Sequence, residues 1–200
     1  ISKFFSWPTM TSDIRKFDHR CSNCVCANNG LKMYTAELKP IPPPSGIHQC
    51  LQIDIIQDLI PTLDGNNHVL AVIDAYSGYP WFLPLADLRA ETIANKLLQV
   101  LAQCGVVNTI ISDQGSSLVG RVLSELWSFL GIKQVTLSPF VHKQNGKCER
   151  LIRSFNDTLR ANVSQDKFDV WDRYLPIFEL SFRSASSRDS PFSPYMICHG

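Results

Sequence analysis

The 200-residue chain lacks several features that would place it at once. It has no large excess of either charge: the formal net charge is +1, so composition alone does not announce a nucleic-acid partner. It has no apolar run near the ~20 residues that a membrane-spanning helix needs. The nearest approach, from His68 to Leu85, is broken by Asp74, Gly78, Pro80 and Pro84. It has no initiating methionine and no signal peptide behind Ile1, and so reads as a fragment or a processed piece of a longer product. Its seven cysteines are odd in number and scattered, which argues against a disulfide framework and suits a reducing compartment. Repeats and low-complexity tracts are missing too. What remains is an ordinary globular balance, 44% hydrophobic and 18% charged, sized for one domain plus an appendage.

Residues 1–39 hold a short helical pattern, with Thr11 or Ser12 as its cap and Ile14 and Phe17 on one face, followed by a cysteine cluster. Pro40, Pro42, Pro43 and Pro44 then permit neither a helix nor a central strand, so 40–47 reads as a linker and the main domain as 48–200. Strand patterns cover 50–56, 68–74 and 81–85, with Asp64-Gly65 supplying turn chemistry between the first two. Helical periodicity follows over 91–104, with apolar positions 93, 94, 97, 98 and 101. A strand at 108–112 precedes a second helix at 119–130, with apolar positions 119, 122, 123, 126 and 130. Gly105 and Gly131 stop the two helices. A strand at 134–138, a long helix at 146–162 and a helical segment at 169–184 complete the order β-β-β-α-β-α-β-α-α. Such an order predicts an α/β fold, a mixed sheet with helices on both faces.

Three carboxylates stand out. Asp54 lies mid-strand between Ile53 and Ile55, where aspartate is costly unless paired or metal-bound. Asp113 ends the fourth strand, and Glu149 sits in the first turn of the long helix, with 35 residues between them. Singly, each has an ordinary reading as a turn residue, a cap or a partner of the helix dipole. Gathered by the fold, they would repel one another severely, and two hard divalent cations would relieve that repulsion.

The arrangement Asp54…Asp113-x35-Glu149 resembles the D,D-35-E triad of the integrases of retroviruses and Ty3/gypsy-like LTR retrotransposons. Val72-Ile73-Asp74-Ala75-Tyr76-Ser77-Gly78-Tyr79, Ile111-Ser112-Asp113-Gln114-Gly115-Ser116-Ser117, Gly131-Ile132 and Asn145-Gly146-Lys147-Cys148-Glu149-Arg150 are similar to further motifs of that family. So are Trp171, Leu175-Pro176 and Ser193-Pro194-Tyr195…Gly200 near the end. Leu118 stands where the family has Phe, and His142-Lys143 where it often has Pro-Gln; His142 reads as a loop-packing residue.

The resemblance implies an RNase H-like mixed five-stranded sheet flanked by helices, on a segment of a polyprotein. It implies a Mg²⁺- or Mn²⁺-dependent polynucleotidyl transferase that processes the 3′ ends of element DNA and transfers them into target DNA. Asp54, Asp113 and Glu149 would be both the catalytic and the metal-binding residues, holding two ions. Asp74, although acidic and near, matches a family position outside the triad and is read as structural.

Expected partners are element and target DNA and further copies of the chain, with no membrane; the expected compartment is the nucleus. Lys143, Asn145, Lys147, Arg150, Arg153, Asn156 and Arg160 are the candidate DNA contacts, and Glu149, Arg153, Asn156 and Arg160 share one stripe of the long helix. Cys21 and Cys24 have zinc-ligand spacing and, behind Trp7-Pro8-x-Met10, resemble the second half of the family's HHCC site. The paired histidines are missing upstream, so Zn²⁺ is expected only where they are supplied. Two other readings stay open: a captured, non-enzymatic DNA-binding or multimerising protein derived from an integrase, and a nuclease on the same fold.

Overall fold

The computed structural model describes residues 7–13, 43–113, 115, 118, 120–137, 146–163, 165–186 and 190–200, without the side chains of 165–168. The chain divides into two compact units, Ile1–Lys39 and Pro40–Gly200.

In the first unit the described residues form a single helical turn. It starts at Met10, not after Thr11 or Ser12, and is held by the Asp13 amide donating to the Thr9 carbonyl at 2.9 Å. Asp13 also accepts from the Trp7 indole at 2.9 Å and the Thr9 hydroxyl at 2.7 Å. These three bonds use the polar groups on both sides of positions 11 and 12, which leaves those positions inside the turn. Ile14 and Phe17 lie outside the described residues.

The second unit is built on five strands: β1 (Cys50–Ile56), β2 (His68–Asp74), β3 (Pro80–Leu85), β4 (Thr109–Ser112) and β5 (Lys133–Thr136). Their spatial order is β3-β2-β1-β4-β5. The β1–β2 and β2–β3 pairs are antiparallel, the β1–β4 and β4–β5 pairs parallel, so the sheet is mixed as the element order predicts. Pro80 and Pro84 fall on β3, an edge strand, where a missing N–H is tolerated.

Helices cover both faces. On the first face Leu51, Ile53, Leu70, Val72 and Ile110 pack against α1 (Ala90–Cys104) and α2 (Arg121–Leu130). On the second, Ile56, Val69, Ala71, Ile73 and Phe82 pack against α3 (Gly146–Asn162) and α4 (Leu175–Ser184). Strand alternation therefore sends Leu51 and Ile53 to one side of β1 and Cys50, Gln52, Asp54 and Ile56 to the other.

The helical stripes differ in detail from the periodicity. Val100 is buried on α1 and Leu98 is 40% exposed, because the buried arc runs 93, 97, 100, 101 and Leu98 falls outside it. On α2 the fully buried residues are Leu123 and Trp127, while Val122 faces outward. On α3 Leu151 is buried with Cys148, Phe155 and Leu159, and Ile152 only partly.

Most elements shift by one or two residues at an end, as with the helix expected from 119 that starts at Arg121 and the strand expected over 134–138 that covers Lys133–Thr136, and the last part of the chain differs more. The segment expected as one helix over 169–184 is a 3₁₀ stretch, Gln165–Tyr174, followed by α4. The backbone leaves helical geometry at Val170, and α4 restarts with Pro176 in its first turn, the one place where a missing N–H costs nothing. A further short helix, α5 (Pro194–His199), was not read from periodicity. Its signal is local: the Ser193 hydroxyl accepts from the Met196 amide at 3.3 Å, and Pro194 opens the first turn.

Candidate active site: a carboxylate cleft at the ends of two parallel strands

β1 and β4 run parallel, with Gln52 opposite Ile111. Asp54 lies two residues further along β1, and Asp113 directly follows the end of β4. Alternation along β1 points Asp54, like Gln52, toward the side of the sheet that α3 covers. Asp54 and Asp113 line one cleft of about 240 Å³, together with Gln57, Leu88, Gly115 and Leu118.

Asp54 is half-buried, and its Oδ1 accepts from the Ile55 amide at 2.8 Å. Burial pushes its carboxyl up to about 6; the Ile55 N–H works against that rise, and the charges of Asp113 and Glu149 add to it. The strand-end aspartate and the helix glutamate thus act electrostatically on the same group. The neighbouring Cys148 thiol, fully buried, is raised first by burial and then by Asp54, Glu149 and Asp113.

Asp113 is exposed, and its Oδ1 accepts from the Gly115 amide at 3.0 Å. A Cβ built on Gly115 would meet that same oxygen at 3.0 Å, so a side chain there would crowd the carboxylate. In the sequence Gly115 stands out only as part of the Ile111–Ser117 motif; its contact with Asp113 is decided by the folded backbone.

Asp74 has the structural role expected of it. Fully buried, it accepts from the His48 amide at 3.0 Å and from the Ser77 amide and hydroxyl at 2.8 and 2.6 Å, closing the turn after β2.

The donor set fits a divalent cation. Asp54, Asp113 and Glu149 offer only hard oxygen ligands, and the mutual repulsion recorded at Asp54 is what a cation would relieve. Among the described residues, no group of three or more His, Cys, Asp or Glu side chains is placed to hold a metal ion. Mg²⁺ does not require one, since it is commonly held by one or two carboxylates with water and phosphate oxygens completing its octahedron.

The expected DNA contacts divide. Glu149, Arg153, Asn156 and Arg160 lie along α3, with both arginines exposed and Asn156 half-buried. Lys147 and Arg150 instead line a different cavity with Ser154, on another flank of the helix. The Lys147 ammonium donates to the carbonyls of Ala75 at 2.6 Å and Tyr76 at 3.5 Å, which ties its head group to the turn after β2. Lys143, Asn145 and His142, and likewise Cys21 and Cys24, lie outside the described residues.

The family model described as "Integrase core domain" matches residues 44–141. This chain belongs to the integrase core family. Asp54 and Asp113 fall within the matched span, and Glu149 lies beyond it. Among similar curated proteins, the retrovirus-related Pol polyprotein from transposon 412 of Drosophila melanogaster is 25% identical over all of this chain and 16% of its own length. The Pro-Pol polyprotein of feline foamy virus is 30% identical, over all of this chain and 17% of its own length. Gypsy retrotransposon integrase-like protein 1 of Mus musculus is 22% identical over 98% of this chain and 37% of its own length. The integrase core described here therefore spans a small part of each of these relatives.

Solved structures share the fold. The catalytic core domain of BIV integrase superposes with a TM-score of 0.60 at 22% identity, covering 74% of this chain and 91% of that one. A simian T-cell lymphotropic virus intasome in complex with PP2A regulatory subunit B56 gamma gives 0.63 at 17% identity, covering 95% and 67%. The mixed five-stranded sheet is thus the RNase H-like sheet of integrase catalytic cores, and cores of this family work with divalent metal ions.

Proposed function

We propose that this integrase core is a polynucleotidyl transferase, which trims the 3′ ends of retroelement DNA with water and joins the resulting 3′-hydroxyls to target DNA. The observation that carries this reading is the shared cleft of Asp54 and Asp113, with the charge of Glu149 felt at Asp54. Asp54 and Asp113 would hold one Mg²⁺ or Mn²⁺ together, and Glu149 with one of the aspartates a second. Bound there, such ions supply charge stabilisation to the attacking and leaving oxygens of an in-line phosphoryl transfer.

The chain's own residues do the positioning. The half-buried Asp54 is fixed by the Ile55 amide, and Asp113 by the Gly115 amide, so neither carboxylate has to be ordered during the reaction. Arg153, Asn156 and Arg160 extend from Glu149 as a track for DNA phosphates, joined by Lys143 and Asn145. Phosphate contacts of this kind set the register of DNA without reading its sequence.

The partners are element and target DNA and further copies of the chain, since two DNA ends must be joined together; a related chain is found in an intasome. The place of action is the nucleus. Among the described residues no helix is long and apolar enough to cross a membrane. Zinc at Cys21 and Cys24 requires two further ligands from elsewhere.

The test uses a branched DNA that mimics the integration product, with Mg²⁺ or Mn²⁺, and compares the chain with Glu149→Gln. Metal-dependent breakage and rejoining that disappears in the variant is the expected result. Equal activity in the variant would rule the mechanism out.

A further inference from the structure

Lys147, Arg150 and Ser154 line a cavity of about 520 Å³, on the flank of α3 away from Glu149. At 100° per residue, Arg150 and Ser154 fall near 100° and 140° from Glu149, whereas Arg153 and Arg160 fall within about 40° of it. The opposite walls of the cavity come from the turn after β2, the end of α4 and the segment leading into α5. It shares no lining residue with the carboxylate cleft.

Three features of this lining belong together. Arg150 is exposed and makes no hydrogen bond or ion pair among the described residues. Arg183, next to the lining residue Phe182, is already paired with Glu179 at 2.6 Å and bonded to the Pro80 carbonyl, and the Lys147 ammonium donates to backbone carbonyls, so Arg150 is the lining cation without such a partner among the described residues. Tyr76 and Phe192, which also line the cavity, leave 46% and 56% of their surface open to solvent. Their positions are not casual. Lys147 ties the Tyr76 backbone to α3, and Phe192 directly precedes the Ser193 cap of α5. Phe182 is packed at 5.7 Å against Phe82 of the core and supplies an apolar wall.

A free guanidinium beside open aromatic rings is the chemistry that takes a phosphate and a base at once. A duplex turns its phosphates outward and its bases toward each other, so only an unpaired nucleotide presents both to one cavity. The volume also lies in the range of pockets that enclose a small molecule and not of grooves that hold a double helix. We propose that this cavity binds one unpaired nucleotide of a DNA strand, with its phosphate on Arg150 and its base against Tyr76 and Phe192. The inference rests on the DNA-joining reading above for its ligand, and on this cavity alone for its place.

The test is photocrosslinking of the full chain in EDTA, so that no chemistry is required. The probe is a DNA duplex with a two-nucleotide overhang carrying 5-iodouracil. Crosslinks should map to the peptides containing Tyr76 or Phe192 and fall at least fivefold in Arg150→Gln, a change at an exposed position whose folding is checked by its melting temperature. Crosslinks confined to other peptides, or a yield unaltered in the variant, would overturn the proposal. So would an equal cavity yield from a blunt duplex. Full competition by free dTMP at the oligonucleotide's concentration would overturn a DNA strand as the source. A chain that joins DNA but gives no crosslink in the cavity sinks this inference alone; one that crosslinks there but never joins DNA sinks only the transferase reading.

Discussion

The two faces of the sheet obey different rules. Toward α1 and α2, β1 contributes Leu51 and Ile53, both with no exposed surface, and the neighbouring strands add Leu70, Val72 and Ile110. Toward α3 and α4, the same strand contributes Cys50, Gln52, Asp54 and Ile56, and the helix laid over them brings Cys148 and Glu149. The first face is an apolar core of the kind that burial alone stabilises. The second keeps a half-buried carboxyl raised to about 6, beside two more acids. A side of a strand that breaks the burial rule while its other side keeps it marks a site and not a weak core.

The largest effect that separates the faces is on activity. Asp113→Asn or Glu149→Gln should lower DNA joining by at least roughly 10³-fold, the upper end of what one preorganised catalytic contact contributes. Asp113→Asn should leave thermal stability within about 0.5 kcal/mol, as changes at exposed positions do, and the half-buried Glu149→Gln within about 1 kcal/mol. A variant that loses activity and melts early in proportion would place these residues in the core after all.

On the first face the outcome should invert. Ile53→Ala removes a side chain with no exposed surface, and should cost about 2–5 kcal/mol in denaturant titration. Joining measured on the folded fraction should change little. A cost below about 1 kcal/mol would show that this face is not closely packed.

Asp54 tests the comparison through pH. Its folded-state carboxyl lies at about 6, above its ordinary 3.8. A folded acid raised in this way holds its proton more tightly than the unfolded chain does. Its contribution is therefore most favourable below about pH 4 and is lost as pH climbs through 6. In EDTA, Asp54→Asn should melt higher than the parent chain at pH 8, by on the order of 2–3 kcal/mol, and the gap should close near pH 4. Adding Mg²⁺ should raise the melting temperature of the parent and not of the variant, since a ligand that binds only the folded chain stabilises it. A gap that is independent of pH would remove burial and repulsion as its cause.

The smallest expected effect lies along α3. Arg153→Gln should weaken DNA binding a few-fold and reduce the slope of log affinity against log salt by about one. An unchanged slope would take Arg153 off the phosphate track.

Much of this molecule was legible before any fold was known. β1 and β2 were bounded correctly because alternation and β-branched runs are local properties, and Gly105 and Gly131 end their helices by adopting positive φ. The three candidate acids stood out for a different reason. Acids in a strand interior, at a strand end and in a helix's first turn each have ordinary explanations, and it was their spacing and flanking motifs that resembled one family.

What failed to show was governed by contact. Trp127 and Leu151 are buried because of which face each helix turns inward, and the 3₁₀ stretch before α4 follows from where Pro176 is allowed to sit. Lys147 read as a DNA contact because a lysine beside Glu149 is cationic; only the approach of the turn after β2 shows its ammonium bonded to Ala75.

The sequence by itself determined most of the strands and helices, the resemblance to one family and the spacing of the three acids, because periodicity, turn chemistry and motif spacing are written along the chain. Tertiary structure alone decided that Asp54 and Asp113 share a cleft and that the cations of α3 part to different flanks of the helix. The reason is that strand register and helix rotation are set by packing between segments far apart in the chain, and the charge one group feels from another depends on distance through space.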